Sequence, residues 1–331
     1  MAEFVVVDRR RLHRVPYPRM PSNSANPDTS SQAYALTLEE LALLPLAGVP
    51  AHRAVRTFAS VEAGASSAPR ALVLRGHDGA GAMAVQMLAR RGWRVSVHVP
   101  VPTLLPVIQG ISRSYIDNES RRIEYLDHTE DVIRSWGAEE VLLVSQHDED
   151  TEGRDGVVRL MERMAEAGEE FDAVLDTIGG KGIWDAGEAL LACSSSGGEC
   201  QFTTLVGDAP DRIVPSTSDL FKAGVRSTKK HGAGSSAVSR RYSTESVVID
   251  GRKSKTKAKV GYAWVIINQD VDWQGEDIAD SLRAVIRVAA VEEGVRPLIV
   301  RDRIVPFERT PEVFIGGLLG SGGTVVVKVA S

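Results

Sequence analysis

Short apolar runs alternate with stretches of helical periodicity through most of this 331-residue chain. The runs fall at 71–74, 94–99, 141–145, 172–176, 199–205 and 260–268. Between them, helical patterns occupy 82–91, 129–136, 156–167 and 183–192, and a long amphipathic one covers 276–293. Strands each followed by a helix can pair in parallel, because the helix carries the chain back across the sheet face. The alternation therefore predicts an α/β chain with a doubly wound parallel sheet and helices on both faces.

The flanks read differently. Residues 4–8 form a short strand pattern, and 16–32 are rich in Pro, Ser and Asn, as a linker is. Thr37 with Glu40 three residues on makes a capping box that opens a helix, and a second helix is expected over 50–63. After Gly294, short strands are expected at 297–300 and 303–305, a helix at 310–318 and a last strand at 323–329. The expected organisation is a strand and linker (1–32), a nucleotide-binding type of α/β domain (33–294) and a return segment (295–331). Three stretches interrupt the rhythm: extra material at 100–127, an acidic loop at 146–155 and a basic insertion at 226–259.

The first strand-to-helix joint carries a glycine pattern, Gly76-His77-Asp78-Gly79-Ala80-Gly81. In G-x-G-x-x-G the first glycine makes the turn, the second lets a pyrophosphate reach the backbone, and the third lets the helix pack on the strand. Gly76 and Gly81 keep the first and third places, while Asp78 stands in the second. A carboxylate there opposes a diphosphate. Equally, Asp78 near a helix N-terminus is a natural cap. A dinucleotide turn is usually followed, about 20 residues on, by an acid for the ribose or a basic group for a 2′-phosphate. Here the second strand ends His98-Val99-Pro100. His98 is a candidate phosphate contact or a core histidine, and Arg94 a second candidate or a solvated strand-end charge. Asp176, Gly179 and Thr203, with Thr204 beside it, fall at the ends of the fourth and fifth strands, where a cofactor rim or plain loop and strand roles would place them.

Composition excludes several classes. The net charge of −5 argues against a wholly basic nucleic-acid binder. Cys193 and Cys200 are the only cysteines, and they give no zinc spacing with seven scattered histidines. They could bridge or remain two buried thiols; the second is expected. No apolar stretch is long enough for a membrane-spanning helix, and the charged N-terminus does not read as a signal peptide. A cytoplasmic protein is expected, with a peripheral membrane location the other expectation. No Ser-His-Asp set or paired-carboxylate motif stands out, so catalytic residues stay unassigned.

Charge is segregated along the chain. Residues 226–259 hold ten basic residues, among them Lys229, Lys230, Arg240, Arg241, Arg252, Lys253, Lys255 and Lys257, against Glu245 and Asp250 alone. The segment carries +8, which leaves about −13 for the rest. It reads as a solvated loop, or as a patch for an acidic protein partner or an anionic membrane surface. With Tyr242 as the sole aromatic, single-stranded nucleic acid is disfavoured.

Taken in order, several segments resemble one family. LEELALLPLAGVPAHRAV (38–55), the glycine turn and helix (71–95), WGAEEVLL (136–143), FDAVLDTIGG (171–180), RPLIVRDRIVPFERTPEVF (296–314) and GGTVVVKVA (322–330) are similar to the medium-chain dehydrogenase/reductase superfamily, in its zinc-free quinone-oxidoreductase branch. The resemblance implies a Rossmann-type domain, NADP or NAD as cofactor, no metal and a homodimer. It implies NAD(P)H-dependent reduction of a quinone or enone as one activity. The family's barrel-like, GroES-like catalytic domain is mostly absent; residues 2–16 resemble its last strand. On the family's longer turn Arg75 and Asp78 both replace glycine. Some fungal members of this branch assist delivery of a plasma-membrane proton pump instead of reducing substrates, so a pseudoenzyme acting as an interaction scaffold is the leading expectation.

Overall fold

The computed structural model describes residues 36–65, 67–101, 115–145, 154–192, 199–210, 212, 215–231, 259–266, 269, 271–272, 275–292, 294–299, 304–315 and 325–328. The elements run α1 (Leu38–Leu43), α2 (Val49–Arg56), α3 (Ala59–Gly64), β1 (Arg70–Val73), α4 (Gly79–Arg90), β2 (Arg94–Val101), α5 (Tyr115–Ser135) and β3 (Glu140–Ser145). They continue α6 (Arg154–Glu166), β4 (Ala173–Asp176), α7 (Lys181–Leu191), β5 (Glu199–Thr204), α8 (Thr217–His231), β6 (Lys259–Trp264), α9 (Ile278–Arg287), β7 (Ile304–Pro306), α10 (Thr310–Ile315) and β8 (Val326–Lys328).

Six strands form one sheet in the order β3-β2-β1-β4-β5-β6, and every neighbouring pair is parallel. This is the Rossmann-type α/β arrangement, and the strand order reverses direction between β1 and β4. The period of two along each strand feeds two cores. Ala71 and Val73 of β1 join Val97, Val55, Met83, Leu88 and Val285 on the face covered by α2, α4 and α9. Leu72 and Leu74 point the other way, to Met161, Phe171, Leu190 and Phe202 under α6 and α7. All of these side chains are at most 1% exposed, so both faces of the central strands are dry.

Several expectations shift. The capping box is present: the Glu40 N–H donates to Thr37 Oγ1 and the Thr37 N–H to Glu40 Oε2. The two N-terminal helices are joined by a π-helical turn (Leu44–Gly48), and the second breaks at Thr57 into α2 and α3. Half of the supposed extra material at 100–127 is helix, because α5 begins at Tyr115. Helix α8 lies where the sequence suggested only the approach to a basic insertion. The return segment forms a two-stranded parallel pair, β7 with β8, tied to α1 by the Lys328–Glu39 ion pair at 2.9 Å. Among 297–299 no strand forms. The strand expected at 4–8 lies outside the described residues, as do 102–114, 146–153 and 232–258.

Candidate functional site

Open parallel sheets bind ligands beyond the carboxyl ends of their strands, where the strand order reverses. Here that point lies between β1 and β4, so the turn after β1 (74–78) faces the loop after β4 (177–180). Leu74 N–H donates to Leu175 O at 2.9 Å, and the Thr177 hydroxyl donates to Leu74 O at 2.8 Å. These bonds fix the two turns against each other.

The glycines of the first turn do their packing jobs. A Cβ on Gly81 would lie 2.5 Å from Arg75 O and 2.9 Å from Gly76 Cα, closer than any side chain allows. A Cβ on Gly76 would press on Val97 at 2.7 Å. So helix α4 sits tight on β1 and β2, as in a dinucleotide turn. Arg75 takes a left-handed φ of 50°, a conformation that glycine adopts freely and arginine at a cost.

Three donors of this turn, the N–H groups of Arg75, Gly76 and Gly79, are engaged by the protein. Arg75 N–H donates to His98 Nδ1 at 3.2 Å, and Gly76 N–H to His98 O at 3.2 Å. The first bond of the α4 ladder runs from Ala82 N–H to Asp78 O, which puts the N–H groups of Gly79, Ala80 and Gly81 ahead of it. Asp78 is the N-cap, and its carboxylate folds back to accept from Gly79 N–H at 2.7 Å. An anion already occupies the positive end of the helix. A diphosphate at this helix end would meet the Asp78 carboxylate beside the N–H groups of Ala80 and Gly81.

His98 is 1% exposed, and its ring accepts from the turn, so the neutral form carries its proton on Nε2. Burial, with His77 and Arg75 nearby, pushes its pKa down to about 3. The structure thus places it as an uncharged strut of the turn, and an uncharged ring gives a phosphate no positive partner. Arg94 sits at the opposite end of β2, paired with Glu139 through two bonds of 2.8 Å, far from the turn along the strand.

At the second turn, Asp176 is 2% exposed. One oxygen accepts from Ile178 and Gly179 N–H at 2.8 Å each; the other accepts from the Thr204 hydroxyl at 2.8 Å. The Thr204 oxygen in turn accepts from Val206 and Gly207 N–H. Burial pushes the Asp176 carboxyl up, against the pull of these donors. Asp176 therefore binds the β4 and β5 loops together. Thr203, fully buried, shares a 2.6 Å hydrogen bond with Thr57 and anchors α2 to β5. Gly179, with φ of 81°, approaches Gly207 O too closely for any side chain. Sequence reading named Asp176 and Thr203 but missed Thr57, whose partner is 146 residues away and leaves no local signal.

Of the basic insertion, Arg226 belongs to the fold. It donates to Asp208 at 2.7 Å, and its guanidinium lies 5.3 Å from the ring centroids of both Trp184 and Tyr262. Lys259 pairs with Glu199 at 3.8 Å. Lys229 and Lys230 lie on the last turn of α8. Arg240, Arg241, Arg252, Lys253, Lys255 and Lys257 lie outside the described residues, as does Cys193, while Cys200 is buried in β5. Among the described residues no cluster of His, Cys, Asp and Glu could hold a metal, and no helix is long and apolar enough to cross a membrane.

No family model and no curated protein matches the chain. Solved structures similar in outline include AibC, at 13% identity over 86% of this chain and 55% of that protein, with a TM-score of 0.43. The quinone oxidoreductase of Thermus thermophilus, also solved with NADPH, shares 16% identity over 89% of this chain and 67% of its own, at a TM-score of 0.47. The CurK enoyl reductase shares 15% over 89% and 64%, at 0.48. The chain spans little more than half the length of AibC. At such identities and scores the likeness bears on outline alone, and the fold rests on the sheet order above.

Proposed function

We propose that the chain is an oxidoreductase-type Rossmann domain serving as an interaction scaffold, with its dinucleotide cleft closed to NADP and NAD. The bond from Gly79 N–H to the Asp78 carboxylate carries this reading: the protein's own anion holds the donor that a diphosphate needs. The self-satisfied Arg75 and Gly76 N–H groups and the uncharged His98 support it. Titration of the purified chain with NADPH and NADH tests it. The wild-type protein should give no heat of binding, while Asp78→Gly should gain affinity. Asp78→Asn separates the causes, because the amide keeps a cap and loses the charge. Gain in Asn as well as Gly assigns the exclusion to charge.

A second reading is an active NAD(P)H-dependent reductase of a quinone or enone. The close packing at Gly76 and Gly81 favours it, since the helix seat of a dinucleotide turn is intact. Steady oxidation of NADPH by the wild-type chain with a quinone acceptor would replace the scaffold reading with this one.

A further inference from the structure

Helix α2 holds the connection between β6 and α9 with three neighbouring side chains, His52, Arg53 and Arg56. Arg53, 2% exposed, donates to Gln269 O at 2.9 Å, to Glu276 O at 3.4 Å and to Ser281 Oγ of α9 at 2.9 Å. Arg56 pairs with Asp272 at 2.7 Å and with Glu276 Oε2 at 2.5 Å. The two acids are fastened to each other through the backbone. Asp272 N–H donates to Glu276 O at 2.9 Å, and Glu276 N–H to Asp272 Oδ1 at 2.8 Å. Helix α2 also reaches the carboxyl end of β5, through Thr57 and Thr203.

His52 is the member of this cluster whose bonding is incomplete. It is 8% exposed. Its Nε2 lies 3.4 Å from Glu276 Oε1, and among the described residues neither of these atoms nor His52 Nδ1 makes a hydrogen bond. A neutral ring fits this place: its one proton goes on Nε2, toward Glu276, and Nδ1 is left as a bare acceptor. A second proton has to go on Nδ1, where it meets neither an acceptor nor solvent. A buried cation with an unpaired donor is costly.

The surrounding charges do not reverse this. Glu276 attracts the proton, but its other oxygen is already paired with Arg56, and Arg56 and Arg91 at the end of α4 repel it. Arg91 in turn lies 3.9 Å from Glu62 of α3. Helix α9 turns Ser281 toward α2, while its Asp280 and Arg283 pair with each other at the surface. Burial, against the pull of Glu276, holds the His52 ring below its ordinary pKa of 6.5.

We infer that His52 is a proton-triggered release for this anchor: with the ring neutral, Asp272 and Glu276 stay fastened to α2, and uptake of the second proton at Nδ1 favours a state in which they have let go and the ring meets water. The anchored form rejects the proton and the released form accepts it, so acid shifts the balance toward release. The shift sets in as pH falls below 6.5 and is absent well above it. It needs no ligand in the crevice.

Amide hydrogen exchange of the full chain, corrected for its intrinsic pH dependence, tests this at the Asp272 and Glu276 N–H groups. Their protection should fall by about tenfold between pH 7.5 and pH 5.5, the change expected when one histidine titrates at 6.5 in the released form and stays neutral in the anchored one. His52→Gln keeps a donor for Glu276 and cannot take the proton, so its protection should stay level over this range. His98→Gln should retain the tenfold fall. A fall that persists in His52→Gln would assign the effect to the carboxylates and overturn the inference, as would its loss in His98→Gln. Nuclear magnetic resonance of the wild-type ring gives a reading that needs no variant. His52 should titrate below 6.5, in step with the loss of protection. A ring that titrates at 6.5 while both amides stay protected overturns the inference.

Discussion

Asp78 caps α4 and sets a negative charge at the N-terminus of that helix, the charge on which the proposed exclusion of a dinucleotide rests. His98 braces the same turn from the neighbouring strand. Its folded pKa of about 3 lies below the ordinary 6.5, so the unfolded chain takes up a proton that the folded chain refuses. The stability it supports is complete above pH 6.5 and falls by about 1.4 kcal/mol per pH unit as pH drops toward 3. Denaturant melts at pH 7.5 and pH 5 should show this slope, and His98→Gln should flatten it. A variant with the wild-type slope would mean that the ring is solvated. Asp176→Ala should cost about 3 kcal/mol, because it strands the buried N–H groups of Ile178 and Gly179 and the Thr204 hydroxyl. A loss below about 1 kcal/mol would show that water replaces the carboxylate there. At this scale the sequence is legible where a signal is local. Thr37 and Glu40 announce their reciprocal bonds by spacing. The Arg75–His98 and Thr57–Thr203 contacts do not, since they are made by the sheet and not by the segment.

Elements were legible in proportion to their periodicity. The strands from β1 to β5 stand within about two residues of expectation, because continuous apolar runs bounded by turns leave little choice of register. Helix α8 was missed although Ser216 and Asp219 form a capping box, with Asp219 N–H donating to Ser216 Oγ and Ser216 N–H to an Asp219 carboxylate oxygen. Its outward Leu220, Phe221 and Val225 blur the apolar stripe that marks a packed helix. The joint between β1 and α4 is the least tolerant element. Gly81→Ala should cost about 1–3 kcal/mol by forcing the helix off Arg75 O, measured as a lower midpoint in urea. An unchanged midpoint would show that the helix has room to slide.

At the scale of the molecule, the strand order β3-β2-β1-β4-β5-β6 brings the two glycine turns to one crevice; the alternation of strands and helices in the sequence pointed to a doubly wound parallel sheet but carried no strand order. What the crevice accepts was not legible, since it depends on where one carboxylate points. In the folded chain it points at its own helix. The direct test is calorimetric titration of NADPH into the wild-type chain and into Asp78→Gly. The expected result is no binding by the first and a measurable dissociation constant for the second, a gain of at least tenfold, or about 1.4 kcal/mol. Tight binding of NADPH by the wild-type chain, with no gain in Asp78→Gly, would contradict the closure of the cleft.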